Sequence, residues 1–195
     1  MPMLHFYRVA DLHTSASLTS RASEIGFEVL ASEVCFNIEA TAELSVADQT
    51  KLQYLLQETF EPHNFSVKPL ISAQGDGDSI LEVAPRQQFT SAWSTNAVSI
   101  CSAMGLVQIT RIEKSRRYHI KRTSPTASPQ KFALLVHDRM TECVYPNGIA
   151  SFEQHSEPEK WTTVPVLKEG RKALEQLSQE KGLGYDSQDI DYYMR

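Results

Sequence analysis

Three cysteines, Cys35, Cys101 and Cys143, are the first side chains to test for nucleophilic chemistry. Cys101 falls at an apolar position of a helical pattern. A hydrolytic thiol instead needs a sharp strand-to-helix turn with small neighbours that leave its sulfur exposed. Cys35 and Cys143 lack that setting as well. An odd number of cysteines at wide spacing also argues against a disulfide framework and a four-cysteine zinc site. Reduced thiols packed as small apolar groups fit better.

Metal chemistry has one candidate stretch, His137-Asp138-Arg139 with Glu142. It lacks the second histidine of a helical zinc motif. The four residues read as the polar side of a helix, and their crowding leaves a domain-interface role open. His5, His13, His63 and His155 are scattered. The run Gly75-Asp76-Gly77-Asp78 is followed by no Lys-Ser/Thr pair and has no acid at a twelfth loop position, so it reads as a surface turn.

An anion site is conceivable where Arg86 and Trp93 precede a helix opening at Ser94-Thr95-Asn96. Helix N-termini offer unpaired N–H groups and about half a positive charge. The competing reading is that Ser94 or Thr95 caps the helix and Trp93 packs beside it. A further basic group, Arg111, Arg117 and Lys121, shares one parity of the segment 109–122 with Glu113, Ser115 and His119. A half-wet strand with a basic face follows. An RNA-binding sheet would also need stacking aromatics on that face, but Tyr118 has the apolar parity and the net charge is −5. Neither nucleic acid nor membrane is therefore expected as a partner. An acidic partner domain is.

These residues need elements to hold them. Leu4–Val9 and Ser79–Pro85 read as strands, and Val34, Phe36 and Ile38 alternate with Cys35, Asn37 and Glu39 in another. Helical spacing marks 17–30. It also marks a helix capped by Ser45, with Leu52, Leu55, Leu56 and Phe60 on one face, ended by Pro62. Ala97, Ile100, Cys101 and Met104 give a third helix, stopped by Gly105. Ser128-Pro129 opens a fourth, expected to run to Glu142 and bury Phe132, Leu135, Val136 and Met140. Strand-helix-strand-helix thus occurs twice by residue 142. The expected fold class is α+β, a two-layer sandwich of pseudo-duplicated units spanning 1–145. A proline-rich linker, 146–165, and the beginning of a helical domain, 166–195, would follow. That domain would hold a helix over 167–181 and a second one opened by Asp186.

Charge is uneven. Residues 1–100 hold 5 Lys/Arg and 12 Asp/Glu, and residues 101–195 hold 14 and 12. Such asymmetry points to a partner or a second domain. No apolar run approaches the ~20 residues of a bilayer span. The opening MPMLHFYRVADLH has neither secretory-signal nor transit-peptide character. A cytoplasmic location is expected, with plastid or mitochondrion as the alternative.

Together, LHFYR, LEVAPR, TSAWSTNAVSICSAMGL, RIEKSRRY, HDRMTECVYP and EGRKALEQLSQEKGLGYDSQDIDYY resemble the N-terminal region of the large single-chain phosphoribosylformylglycinamidine synthases, in their plant-like form. The resemblance covers the whole chain in order. It implies a front domain similar to a dimer of the small accessory subunit, then a helical linker domain, an ATP-dependent synthetase and a glutaminase. The full enzyme would convert formylglycinamide ribonucleotide to its amidine, with glutamine as amido donor. The motifs for ATP, magnesium and the glutaminase triad are not among these residues, so no catalytic, cofactor-binding or metal-binding residue carries over. The resemblance implies a bridge between synthetase and glutaminase domains. The alternative is a stand-alone module docking on them. Candidate interface residues are Arg86, Trp93, Ser94, Thr95, Arg111, Arg117, Lys121, His137, Asp138, Arg139 and Glu142.

Overall fold

Alternation at Val34, Phe36 and Ile38 does make a strand, but one twice as long as the pattern suggests. A computed structural model describes residues 2–10, 16–58, 60–153 and 160–195. They fall into two units, Met1–Gln154 and His155–Arg195. His13 and His155 lie outside the described residues.

In the first unit the order is β1 (Met3–Val9), α1 (Ala16–Glu24), β2 (Phe27–Ala40), α2 (Val46–Leu56), β3 (Phe65–Ser66), β4 (Asp78–Pro85), α3 (Ala92–Ala103), β5 (Ile109–Arg122), α4 (Pro129–Val136) and β6 (Glu142–Val144). One antiparallel sheet has the order β3-β1-β2-β5-β4-β6. Its central pair, β2 with β5, sets Cys35 opposite Ser115 and Glu33 opposite Arg117. The helix expected over 17–30 stops at Glu24. Gly26, at φ +82°, turns the chain into β2 so closely to Ser124 that a Cβ there would stand 2.6 Å from the serine's own.

Even positions of β5, Ile112, Tyr118 and Ile120, face the helices. Phe36, Ile38 and Ile112 pack with Leu52, Leu56 and Cys101, while Tyr118 and Ile120 pack with Phe27, Ala22 and Phe132. Phe27 and Phe36 share this face because a bulge between Val29 and Ala31 reverses the parity of β2. The structure is α+β with helices layered on one face. Ser45 caps α2 by accepting from the Asp48 N–H. That helix ends at Leu56, short of Phe60, which is exposed.

Helix α4 also ends early. Asp138 accepts from the N–H groups of Met140 and Thr141, a turn that competes with helix continuation. Met140 is consequently exposed rather than core.

The second unit comprises α5 (Val166–Glu169), α6 (Arg171–Lys181) and α7 (Ser187–Tyr193). The single helix expected over 167–181 is split at Gly170, whose φ is +64°. Gly182 ends α6 in the left-handed conformation, and Asp186 with Asp189 forms a capping box for α7. Arg171 and Asp191 join α6 to α7.

Candidate functional site

The face of β5 expected to be wet is buried. Glu113 and Ser115 are at most 1% exposed, and Glu33, Asn37, Glu82 and Arg111 are also inside. Two distant stretches help to enclose this face. One is 145–152, where Ile149 and Phe152 pack against Ala84. The other supplies the Leu70 and Ile71 N–H groups, both donating to Glu33 Oε2.

Charges on this face are matched internally. Arg117 bonds Glu33 and also meets Glu82, at 3.2 Å. Glu82 accepts from the Ser115 hydroxyl at 2.5 Å. Arg111 donates from Nε to Glu113 (3.1 Å), from its Nη atoms to the Gln87 and Phe89 carbonyls, and lies 4.3 Å from the Phe152 ring centre. Guanidinium groups paired in this way with buried carboxylates are fasteners of the unit's interior, not surface cations. Of the three basic residues expected to display charge here, only Lys121 is exposed.

The anion position conceivable at the start of α3 is filled by the protein itself. Ser91, not Ser94 or Thr95, is the N-cap, so the helix begins two residues before Ser94. The Glu113 carboxylate accepts from the Ser91 N–H at 3.0 Å and from its hydroxyl at 2.6 Å. Ser94 is buried, and its hydroxyl accepts from the Ile112 N–H. Thr95 donates to the Ser91 carbonyl. Trp93 leans on Phe36, with the Lys114 ammonium 4.1 Å from its ring centre. Burial holds the Lys114 pKa below the usual lysine value.

Arg86 serves a different corner. Its Nη2 donates to the Arg139 carbonyl and its N–H to the Thr141 carbonyl. Glu142 accepts from the Asp138 N–H and from Arg116, which also donates to the Val136 carbonyl. His137, Asp138, Arg139 and Glu142 are therefore gathered, with Arg86, into one tight turn rather than along a helix. Backbone donors from Thr141 and Met140 keep the Asp138 carboxyl below the ordinary carboxylate range.

A cavity of about 290 Å³ opens on the buried polar face, lined by His5, Tyr7, Cys35, Asn37, Glu82 and Arg117 together with residues 145–150. Burial, and then the neighbouring Glu82 charge, push the Cys35 thiol up to about 12. Burial and Cys35 do the same to Tyr7, also to about 12. Both groups are neutral at pH 7, so neither is a ready nucleophile. No set of three metal-type ligands comes together among the described residues.

The carboxylates Glu33, Glu82 and Glu113 are the residues that reading by basic charge passed over. A signal was available for Glu82, flanked by Leu81 and Val83 in ILEVA, whereas Glu33 follows Ser32 and Glu113 precedes Lys114. Burial raises the Glu33 pKa, against the lowering pull of the Leu70 N–H and Arg117. A carboxyl raised on folding adds stability that is complete below its unfolded pKa and fades as pH rises through the folded value. Glu33→Gln should therefore remove a pH dependence. The stability difference between wild type and variant should shrink as pH rises from about 4.5. Urea melts of both chains at stepped pH check this, and a constant difference would refute it.

Residues 33–152 match the family model described as formylglycinamide ribonucleotide amidotransferase N-terminal. That span begins at Glu33 and ends at Phe152, so it contains the buried charge network. The chain is 44% identical, over 99% of its length, to a probable phosphoribosylformylglycinamidine synthase, chloroplastic/mitochondrial, of Arabidopsis thaliana. It is 42% identical over 87% of its length to the phosphoribosylformylglycinamidine synthase of Dictyostelium discoideum, and 37% identical over its full length to that of Homo sapiens. It spans 14%, 13% and 15% of those relatives.

Proposed function

Since the chain belongs to the formylglycinamide ribonucleotide amidotransferase N-terminal family, we propose that it is the front part of a phosphoribosylformylglycinamidine synthase. The enzyme would make the amidine of formylglycinamide ribonucleotide for purine synthesis, drawing nitrogen from glutamine and energy from ATP with magnesium. Those reactions would occur in the rest of the polypeptide. This chain would bridge the synthetase and glutaminase domains and catalyse nothing alone. The observation that carries the reading is similarity along essentially the whole chain to relatives that share this name. The internal pairing of Arg111, Arg117 and Glu113 supports a structural rather than chemical part. Lys121, Thr95, Asp138 and part of Trp93 remain on the surface for an interface.

The domain plan we propose is a front domain over 1–145, a connecting segment over 146–165 whose first part, through Phe152, packs onto that domain, and the beginning of a helical domain from 166. No helix among the described residues is long and apolar enough to cross a membrane. The proposed compartment is the cytoplasm, with a plastid or mitochondrion as the alternative that the name of the Arabidopsis relative suggests.

A chimera tests the function. This chain replaces the aligned segment of the Arabidopsis relative, and amidine formation is followed with glutamine and, separately, with ammonia. Activity with both is expected. A chimera active with ammonia alone would overturn the bridging role, and one inactive with either would overturn the assignment. The isolated chain should form no amidine from either donor.

A further inference from the structure

Residues 87–110 form a run of 24 with no charged side chain, in a chain that is 22% charged, where about five would be expected. Helix α3 lies inside that run. Its inner side is settled, with Ser94 and Cys101 buried, Val98 packed on the core and Ala97, half-buried, at the boundary between the two sides. Its outer side is not. Trp93 is 36%, Ile100 54% and Met104 46% exposed, and Val107, just past the helix, 74%.

Trp93, Ala97, Ile100 and Met104 fall at i, i+4, i+7 and i+11. This is the stripe by which one helix meets another. Ile100 and Met104 share helical spacing with the buried Cys101, yet the first unit leaves both outside. The helix thus carries a wider apolar arc than its own unit uses. Phe36 and Lys114 hold the inner side of Trp93 in place, so the stripe is ordered before anything binds it. Lack of charge together with Trp and Met is what the cores of protein interfaces show.

We propose that the stripe Trp93–Ile100–Met104–Val107 is where the remainder of the longer polypeptide docks, through an uncharged apolar face. This rests on the reading that the chain is the front of such a polypeptide. A second copy of the chain fits less well. Eleven residues of helix span roughly 16 Å, one helix wide, whereas a stable interface between separate proteins buries about 1,200–2,000 Å². A tethered partner acts at an effective concentration around millimolar and manages with less area. Relatives of which this chain spans 13–15% have the length to supply it. Docking on a charge-free stripe is also insensitive to salt, unlike docking through Lys121 or Asp138.

The experiment introduces Met104→Cys into the 195-residue chain and into the chimera described above. The rate of maleimide modification at position 104 is read by peptide mass spectrometry. Modification should be fast in the chain and about tenfold or more slower in the chimera, with the same protection at about 50 mM and about 500 mM salt. Equal fast rates in both overturn the proposal. Slow labelling of the chain that dilution speeds up overturns it in favour of self-association. Slow labelling independent of concentration overturns it because the chain covers its own stripe. Protection lost at high salt assigns the contact to charge and overturns it too. Amidine formation is measured on the same samples. A protected but inactive chimera fails the proposed function and keeps the docking, whereas an active, unprotected one does the reverse.

Discussion

Glu113→Ala should destabilise the first unit by about 3–5 kcal/mol, the cost of removing one partner from a buried ion pair. The carboxylate is 1% exposed and holds three donors, the Ser91 N–H, the Ser91 hydroxyl and Arg111 Nε. Its loss leaves the Arg111 guanidinium buried with carbonyl partners only. It also strips the N-terminus of α3 of the anion facing its dipole. An exposed pair would be worth at most about 1 kcal/mol, so the size of the effect separates the two descriptions of this face. Glu113→Gln keeps an acceptor for Ser91 but not the charge, and should fall between. Trp161→Phe leaves Trp93, two residues from Ser91, as the sole tryptophan. Urea melts followed by its fluorescence then report on this unit. A loss below about 1 kcal/mol for Glu113→Ala would show that the network contributes little.

A loss of similar size, about 3–5 kcal/mol, is expected for Phe132→Ala. Phe132 is wholly buried, with its ring 5.7 Å from Phe27 and 5.8 Å edge-on from Tyr118. It is the apolar anchor of an eight-residue helix, too short to hold together without packing. Phe132→Leu preserves most of the volume and should cost less than about 1.5 kcal/mol. Calorimetric midpoints of the three chains provide the measurement. If Leu and Ala proved equally harmful, ring contacts rather than cavity volume would dominate the site.

Periodicity made the strands legible because alternation records which residues share a face. It put Tyr118 on the apolar side of β5 and grouped Arg111, Glu113, Ser115 and Arg117 opposite it. What alternation does not record is the cover on the second face. That cover comes from 145–152 and from Leu70 and Ile71, far away in sequence, so a buried network was read as a wet surface. Helix ends depart from the hydrophobic pattern where a side chain or a backbone change stops it. Asp138 accepting from Met140 and Thr141 ended α4, and Gly170 broke the helix expected over 167–181. Spacing alone puts Phe60 on the face of α2, although the helix closes at Leu56. The anion preference at the start of α3 was legible, but not the anion, since Glu113 lies on another strand. Ile100 and Met104 show the same limit from the other side. Helical spacing marks an apolar face without saying whether its partner lies within the unit.

Pairing of β2 with β5 also governs how the chain is made. Glu33 and Arg117 are 84 residues apart, so β2 leaves the ribosome long before its central neighbour exists. At about 5–20 residues per second that interval lasts roughly 4–17 s. During it, one side of a 14-residue strand lacks its native partner and is open to pairing with another nascent chain. Glu33, Asn37 and Glu39, spaced along its second face, make such mispairing costly because like charges and unmatched amides would be brought together. The residues that bind β2 to its proper neighbour in the finished fold are thus also its guard against aggregation during synthesis.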